Sequence, residues 1–226
     1  MIPLAGDDRP LPVEVADPVT LRRFSIKPHH LDAYLELLPR HVDVRARAGW
    51  TTHRLLLETQ AEPKLTWVAS HPTPVLGDRA VRADPATSDL DALTAPHVFR
   101  NEVVRPVRVE RLTHATPESV RGRIAILRRY AITNEWGGFL DIWRRIADVR
   151  DAYGFRCLFA VADEPKDMFT WSFDFAGDFA DFPAAQREYY HDPARIALRG
   201  VFDYMADYAI TPAEQLDTTG RRFAAC

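Results

Sequence analysis

Lysine is nearly absent from this 226-residue sequence: only Lys27, Lys64 and Lys166 occur, and arginine carries the rest of the positive charge. The net charge is -3, with both signs scattered. No basic stripe forms, which argues against a nucleic-acid partner. Cysteine is as scarce. Cys157 and Cys226 cannot build a disulfide framework or a metal knuckle, and a reducing cytoplasm is the expected location. No apolar run approaches the ~20 residues that span a bilayer, so no membrane helix is expected. The opening MIPLAGDDRP lacks the basic-then-apolar order of a secretory leader. The ten glycines never fall as GxGxxG or GxxxxGK, and no GxSxG occurs. A phosphate-cradling loop and a nucleophile elbow are therefore not expected. The eight histidines form no HxH or HExxH pair, so no metal site is expected either.

What the chain does have is an echo. LRRFSI, Leu21 to Ile26, returns as LRRYAI, Leu127 to Ile132, an offset of 106 (127 − 21). Tyr34-Leu35-Glu36 then matches Phe139-Leu140-Asp141 at 105, Val44-Arg45 matches Val149-Arg150 at 105, and Gly49-Trp50 matches Gly154-Phe155. Thr66-Trp67 matches Thr170-Trp171 at 104, and Val98-Phe99 matches Val201-Phe202 at 103. Matches in order, with an offset that drifts one residue at a time, are what a duplication trimmed in its loops produces.

Each copy reads as β-α-β-β-α-β. VTLRRFSI alternates as a strand does, and Leu31, Tyr34, Leu35, Leu38 and Val42 recur at helical spacing. The expected helix runs from His29 to Ala48, kinks at Pro39 and ends at Gly49. WTTHRLLLET and LTWVAS form a hairpin, and VVRPVRVERL closes the first copy. In the second copy RIAILRRYAI, a helix from Trp136, FRCLFAVAD, MFTWSFDF, FPAAQREYY, DPARIALRGVFDYM and DYAITPAEQL follow the same order. Pro106 and Pro212 place the two closing strands near edges or bulges. The segment from Pro72 to Pro96 is polar and proline-broken, with one short helical piece near Ser88 to Leu93, and reads as a lid. The predicted fold is α+β: tandem ferredoxin-like repeats over 17–112 and 120–217. The strands are apolar on both alternations, so the two antiparallel sheets should pack face to face or as a barrel.

The pattern Arg23-Phe24, Lys27-Pro28 and Leu31-Asp32-Ala33-Tyr34-Leu35, then a Gly-led strand, a strand with Trp, and a later Asp192-Pro193 helix, resembles the dimeric α/β-barrel superfamily. It is most similar to the NIPSNAP-type members. Thr133-Asn134 stands where Lys-Pro would be in the second copy, so the halves have diverged. The resemblance spans most of both copies and carries no catalytic signature. It implies antibiotic-biosynthesis monooxygenases, polyketide cyclases, haem-binding enzymes and small lyases as the classes in play. Fold alone does not choose among them.

The residues narrow the chemistry further. His53 lies in a predicted strand, sharing a face with Thr51 and Leu55, and is a candidate general base; the alternative is a hydrogen-bonded core histidine. His191 precedes a helix and could line a cavity mouth or simply cap a loop. Arg23 and Arg129 occupy matched places in central strands. Either could hold an enolate or phenolate, or form a structural salt bridge. If one is ion-paired and the other faces a cavity, the repeats have split structure from function. Tyr130, Trp136, Trp143, Trp171 and Tyr189 belong to an aromatic-rich second copy that suits a planar ligand, or serves as core. Cys157 reads as a small buried apolar residue. The expectation is an enzyme that oxygenates or cyclises an aromatic, polyketide-like small molecule in a barrel-fold cavity. It would use no cofactor or a diffusible reduced flavin. The alternative is a NIPSNAP-like binding protein without chemistry. A homodimer of the fused chain is a possible assembly.

Overall fold

The computed structural model describes residues 11–14, 17–60, 62–104 and 108–223. In chain order the elements are β1 (Leu11–Pro12), β2 (Val19–Ile26), α1 (Leu31–Arg47), β3 (Thr51–Glu58), β4 (Lys64–Ser70), α2 (Pro74–Ala83), α3 (Pro85–Thr94), β5 (Val98–Val104) and β6 (Arg108–His114). Then come α4 (Pro117–Val120), β7 (Arg123–Ile132), α5 (Trp136–Ala152), β8 (Arg156–Asp163), β9 (Met168–Ala176), α6 (Phe182–His191), α7 (Pro193–Ile196), a 3-10 turn (Arg199–Tyr204) and β10 (Met205–Leu216).

The first half orders its strands β3-β4-β2-β5 and the second β8-β9-β7-β10, the same arrangement twice. All pairings are antiparallel. The halves then exchange strands. β10 pairs with β7 as far as Ala213 and with β3 from Glu214 onward. Pro212, which has no N–H to donate, sits next to that transfer point. In the first half β5 pairs with β2 while β6, three residues later, pairs with β8. Pro106 lies outside the described residues. The result is an α+β fold of two ferredoxin-like units whose antiparallel sheets face each other, the ladder remaining open at β1 and β5 rather than closing.

Strand alternation then divides the side chains among three cores. Between the sheets lie Leu21, Leu56, Val68, Val104, Leu127, Leu158, Phe159 and Val161, all buried. On the helix side of the first sheet α1 packs Tyr34, Leu38 and Val42 onto Ile26, Leu55, Leu65 and Trp67. On the helix side of the second, α5 packs Phe139, Leu140, Trp143 and Ile146 onto Ile126, Phe169, Trp171 and Phe173. α1 and α5 are each 17 residues long, and each is followed by a glycine with positive φ, Gly49 at 87° and Gly154 at 78°. α1 remains one continuous element through Pro39.

The segment from Pro72 to Pro96 differs from its sequence reading. It forms two ten-residue helices, α2 and α3, rather than one short piece. Each begins with proline at its first position, and Asp84 ends α2 while its carboxylate accepts from the Ala86 N–H at 2.9 Å to cap α3. Few of their residues are buried, Val81 and Leu90 among them, which is why the apolar periodicity is faint.

Candidate functional site

The hexapeptide echo locates the sites. In LRRFSI, Arg23 faces the other sheet and Arg22 faces the helices. In LRRYAI, Arg129 and Arg128 do the same. The inner pair does not divide into one ion-paired and one cavity-facing arginine. Arg23 pairs with Glu58 and donates to Thr66 Oγ1 at 3.2 Å. Arg129 pairs with Glu102 at 3.0 Å. Both line one hollow of about 250 Å³ at an end of the inter-sheet space. The opposite end is closed by Asp174, which is fully buried and receives Arg156 at 2.7 Å, Arg123 at 2.9 Å and Gln215 at 3.2 Å. Aliphatic side chains fill the middle. A roomier space than this hollow lies under the helices of the first half.

That cavity, of about 520 Å³, lies between β2, β4 and β5 and the helices α1 to α3. Phe24, Tyr34 and Trp67 form aromatic walls, with Val44, Val81 and Leu90 beside them. Its polar centre is Arg22, Arg45 and Asp78. The Asp78 carboxylate accepts from Arg22 at 2.6 Å and from Arg45 at 3.4 Å, and Arg45 stands over the Trp67 ring at 5.3 Å. Burial, with Arg22 nearby, lowers Arg45 to about 10, so it remains charged at neutral pH. His41 joins the wall, its Nε2 2.6 Å from Thr94 Oγ1. Burial, then Arg45 and Arg40, lowers His41 to about 4, so it is neutral at pH 7.

The second half holds the counterpart, shrunk to about 80 Å³. Tyr130, Trp143, Trp171 and Tyr189, four of the aromatics singled out in the sequence, meet there with Arg128, Arg150 and Arg195. Trp136 lies outside it, half-buried against Phe139 and Phe169. His191 is exposed at the end of α6 and lines neither cavity. His53 is also elsewhere. A bulge between Thr52 and Arg54 breaks the alternation of β3, so Leu55 joins the core under the helices while His53 bonds Ser70 Oγ at 2.9 Å and meets the edge of His114. Burial, then His114 and Arg54, lowers it to about 4. Thus His53 and Arg129 lie on one side of the sheets, and Trp143 and Trp171 on the other. Cys157 is buried, and its thiol is pushed up to about 12 by that burial.

Sequence reasoning passed over Arg22, Arg45, Asp78, Arg128, Arg150 and Arg195. A signal was present for four of them. Arg22 and Arg128 repeat as faithfully as Arg23 and Arg129, and Arg45 and Arg150 lie within a matched dipeptide.

No family model and no curated protein matches the chain. Solved structures do. A provisionally named monooxygenase from Fusobacterium nucleatum superposes with a TM-score of 0.64 at 10% identity, over 90% of this chain and 94% of that one. An anthrone oxidase-like protein gives 0.60 at 12% identity, over 91% and 94%. A chlorite dismutase variant from Candidatus Nitrospira defluvii gives 0.51 at 10%, over 89% and 93%. At such identities the likeness is one of fold. The chain shares the fold of these proteins. They cover it nearly end to end, so the likeness of fold extends over both halves.

Proposed function

We propose that this protein is a small-molecule enzyme acting on a polyphenolic, polyketide-like aromatic in the cavity of its first half, by oxygenation or rearrangement. One observation carries the reading: a cavity of about 520 Å³ combines three aromatic walls with the Arg22–Asp78–Arg45 cluster and a neutral histidine. That volume suits a ligand of a few fused rings. Phe24, Tyr34 and Trp67 would orient ring faces. Arg22 and Arg45 would stabilise a phenolate or enolate oxygen as it gains charge. His41 would accept the proton. An anionic substrate beside it offsets Arg45 and Arg40 and raises its basicity toward the working range.

The anthrone oxidase-like and monooxygenase-named proteins of the same fold make oxidation the leading form of this proposal. A methylene flanked by two rings would lose both hydrogens, O2 would supply the carbonyl oxygen, and the second oxygen would leave as water. The substrate itself supplies all the electrons on this route, so no bound cofactor is required; delivered reduced flavin is the other route. The test is oxygen uptake with anthrone-class substrates, alongside native mass spectrometry of protein isolated from its producing cell. Arg45→Gln should lower kcat/KM by roughly a hundredfold. A second reading, a NIPSNAP-like binding protein without chemistry, is favoured by the engagement of both Arg22 and Arg45 with Asp78. A retained aromatic metabolite without oxygen uptake or turnover would select it.

A further inference from the structure

The two halves build the same guanidinium seat and complete it differently. Arg22 is level with Trp67 across β2 and β4, and Arg128 with Trp171 across β7 and β9. The offsets are 106 (128 − 22) for the strand arginines and 105 (150 − 45) for the helix arginines Arg45 and Arg150. In the first half the chain supplies its own carboxylate, Asp78, between the two arginines. In the second half Arg128, Arg150 and Arg195 are buried to 8%, 1% and 7% exposure and form no ion pair among the described residues.

Aromatic rings take part of the load. Arg150 stands 4.2 Å from the Tyr189 centroid and 4.3 Å from that of Phe173, and Arg195 lies 5.6 Å from Tyr190. Ring faces satisfy the flat sides of a guanidinium but not its in-plane N–H groups. Nε and Nη2 of Arg128, Nε and Nη1 of Arg150 and Nε of Arg195 have no hydrogen-bond partner. Arg128 donates from Nη1 to Tyr130 Oη at 3.2 Å. Burial opposes ionisation of Tyr190, yet Arg128, which also hydrogen-bonds its hydroxyl, together with Arg150 and Arg195 holds its phenol below the usual range.

We propose that the second half's cavity is a binding site for a small aromatic monocarboxylate, whose carboxylate takes between Arg128 and Arg150 the place that Asp78 takes between Arg22 and Arg45. A planar, bidentate acceptor is what paired in-plane N–H donors select. The hollow of about 80 Å³ accepts a carboxylate and little more. The rest of the ligand emerges at the rim, where Tyr190, Phe202 and Ile210 are exposed at 39%, 55% and 39% and offer apolar surface to one ring. This site is separate from the proposed catalytic cavity and does not depend on it.

The experiment is fluorine NMR on the full chain with fluorobenzoate, competed by benzoate, and with fluorobenzamide as the neutral isostere. Saturable fluorobenzoate binding, absent for the amide, is expected. Arg195→Gln should weaken it by roughly tenfold, and Arg128→Gln should abolish it. Arg195 lies on the short α7 at the edge of the second half, so its variant serves if the Arg128 variant does not fold, circular dichroism deciding which variants are folded. No saturable binding overturns the proposal. So does equal binding of acid and amide, which would mean an apolar groove only. Binding unaltered in a folded Arg195→Gln would place the ligand elsewhere and overturn it as well.

Discussion

Asp174 has no exposed surface and holds two arginines and a glutamine at the closed end of the inter-sheet space. Removing its charge takes this carboxylate from Arg123 and Arg156, whose side chains are only 8% and 7% exposed. Asp174→Asn should destabilise the protein by roughly 3–5 kcal/mol in denaturant unfolding. Asp43 also pairs with an arginine, Arg47, but its side chain is 66% exposed, and Asp43→Asn should change stability by less than about 0.5 kcal/mol. Histidine sets the pH response. His41 and His53 are both lowered to about 4 in the folded chain, against an ordinary value near 6.5. The unfolded chain therefore binds protons first as the pH falls. The stability these residues contribute is full above about pH 6.5, declines between 6.5 and 4, and is gone below that. Melting temperatures across this window should fall, and the slope should be shallower in His53→Gln.

The helix ends carry a second kind of test. Gly49 and Gly154 occupy matched places after α1 and α5, both with positive φ. A Cβ at Gly154 meets nothing within 4 Å, so Gly154→Ala should cost about 1 kcal/mol from backbone strain alone. At Gly49 the Cβ falls 3.1 Å from His71 Nε2, which bonds the Ala48 carbonyl, so Gly49→Ala should cost more. Chemical denaturation of the pair separates strain from crowding. These elements were legible in the sequence because period, proline and glycine agreed. The hairpin strands and the long helices fall within a few residues of their expected bounds, whereas VVRPVRVERL is divided between β5 and β6, and DPARIALRGVFDYM holds only the four-residue α7 and a 3-10 turn. α2 was not legible, and α3 only as the short piece near Ser88 to Leu93, because a helix that walls a cavity presents few residues to a core, and Val75, Leu76 and Leu93 remain exposed. His53 was misplaced for a different reason: one extra residue in a bulge reverses the face of every later residue in the strand, and no composition signal marks it.

At the scale of the molecule the exchanged strands decide how the halves depend on each other. Residues 17–112 alone would expose Leu21, Leu56, Val68 and Val104, which the second sheet now covers. That fragment should self-associate, and light scattering after size exclusion should report a dimer or larger species rather than a monomer. The duplication itself was the most legible feature of the sequence, and it sufficed for the architecture. The cavities were less legible, since a matched pair such as Arg22 and Arg128 looks identical until its third partner, distant in sequence, is known.

The fusion has a consequence of its own. In a homodimer of single units one codon serves both copies, so any change in one cavity is imposed on its twin. Here each seat answers to its own codon. The first could acquire a resident aspartate while the second kept three uncommitted arginines, with the shared sheets undisturbed. Symmetry at the level of strands and independence at the level of pockets coexist in one polypeptide. Its two chambers can be inherited as a pair and altered one at a time.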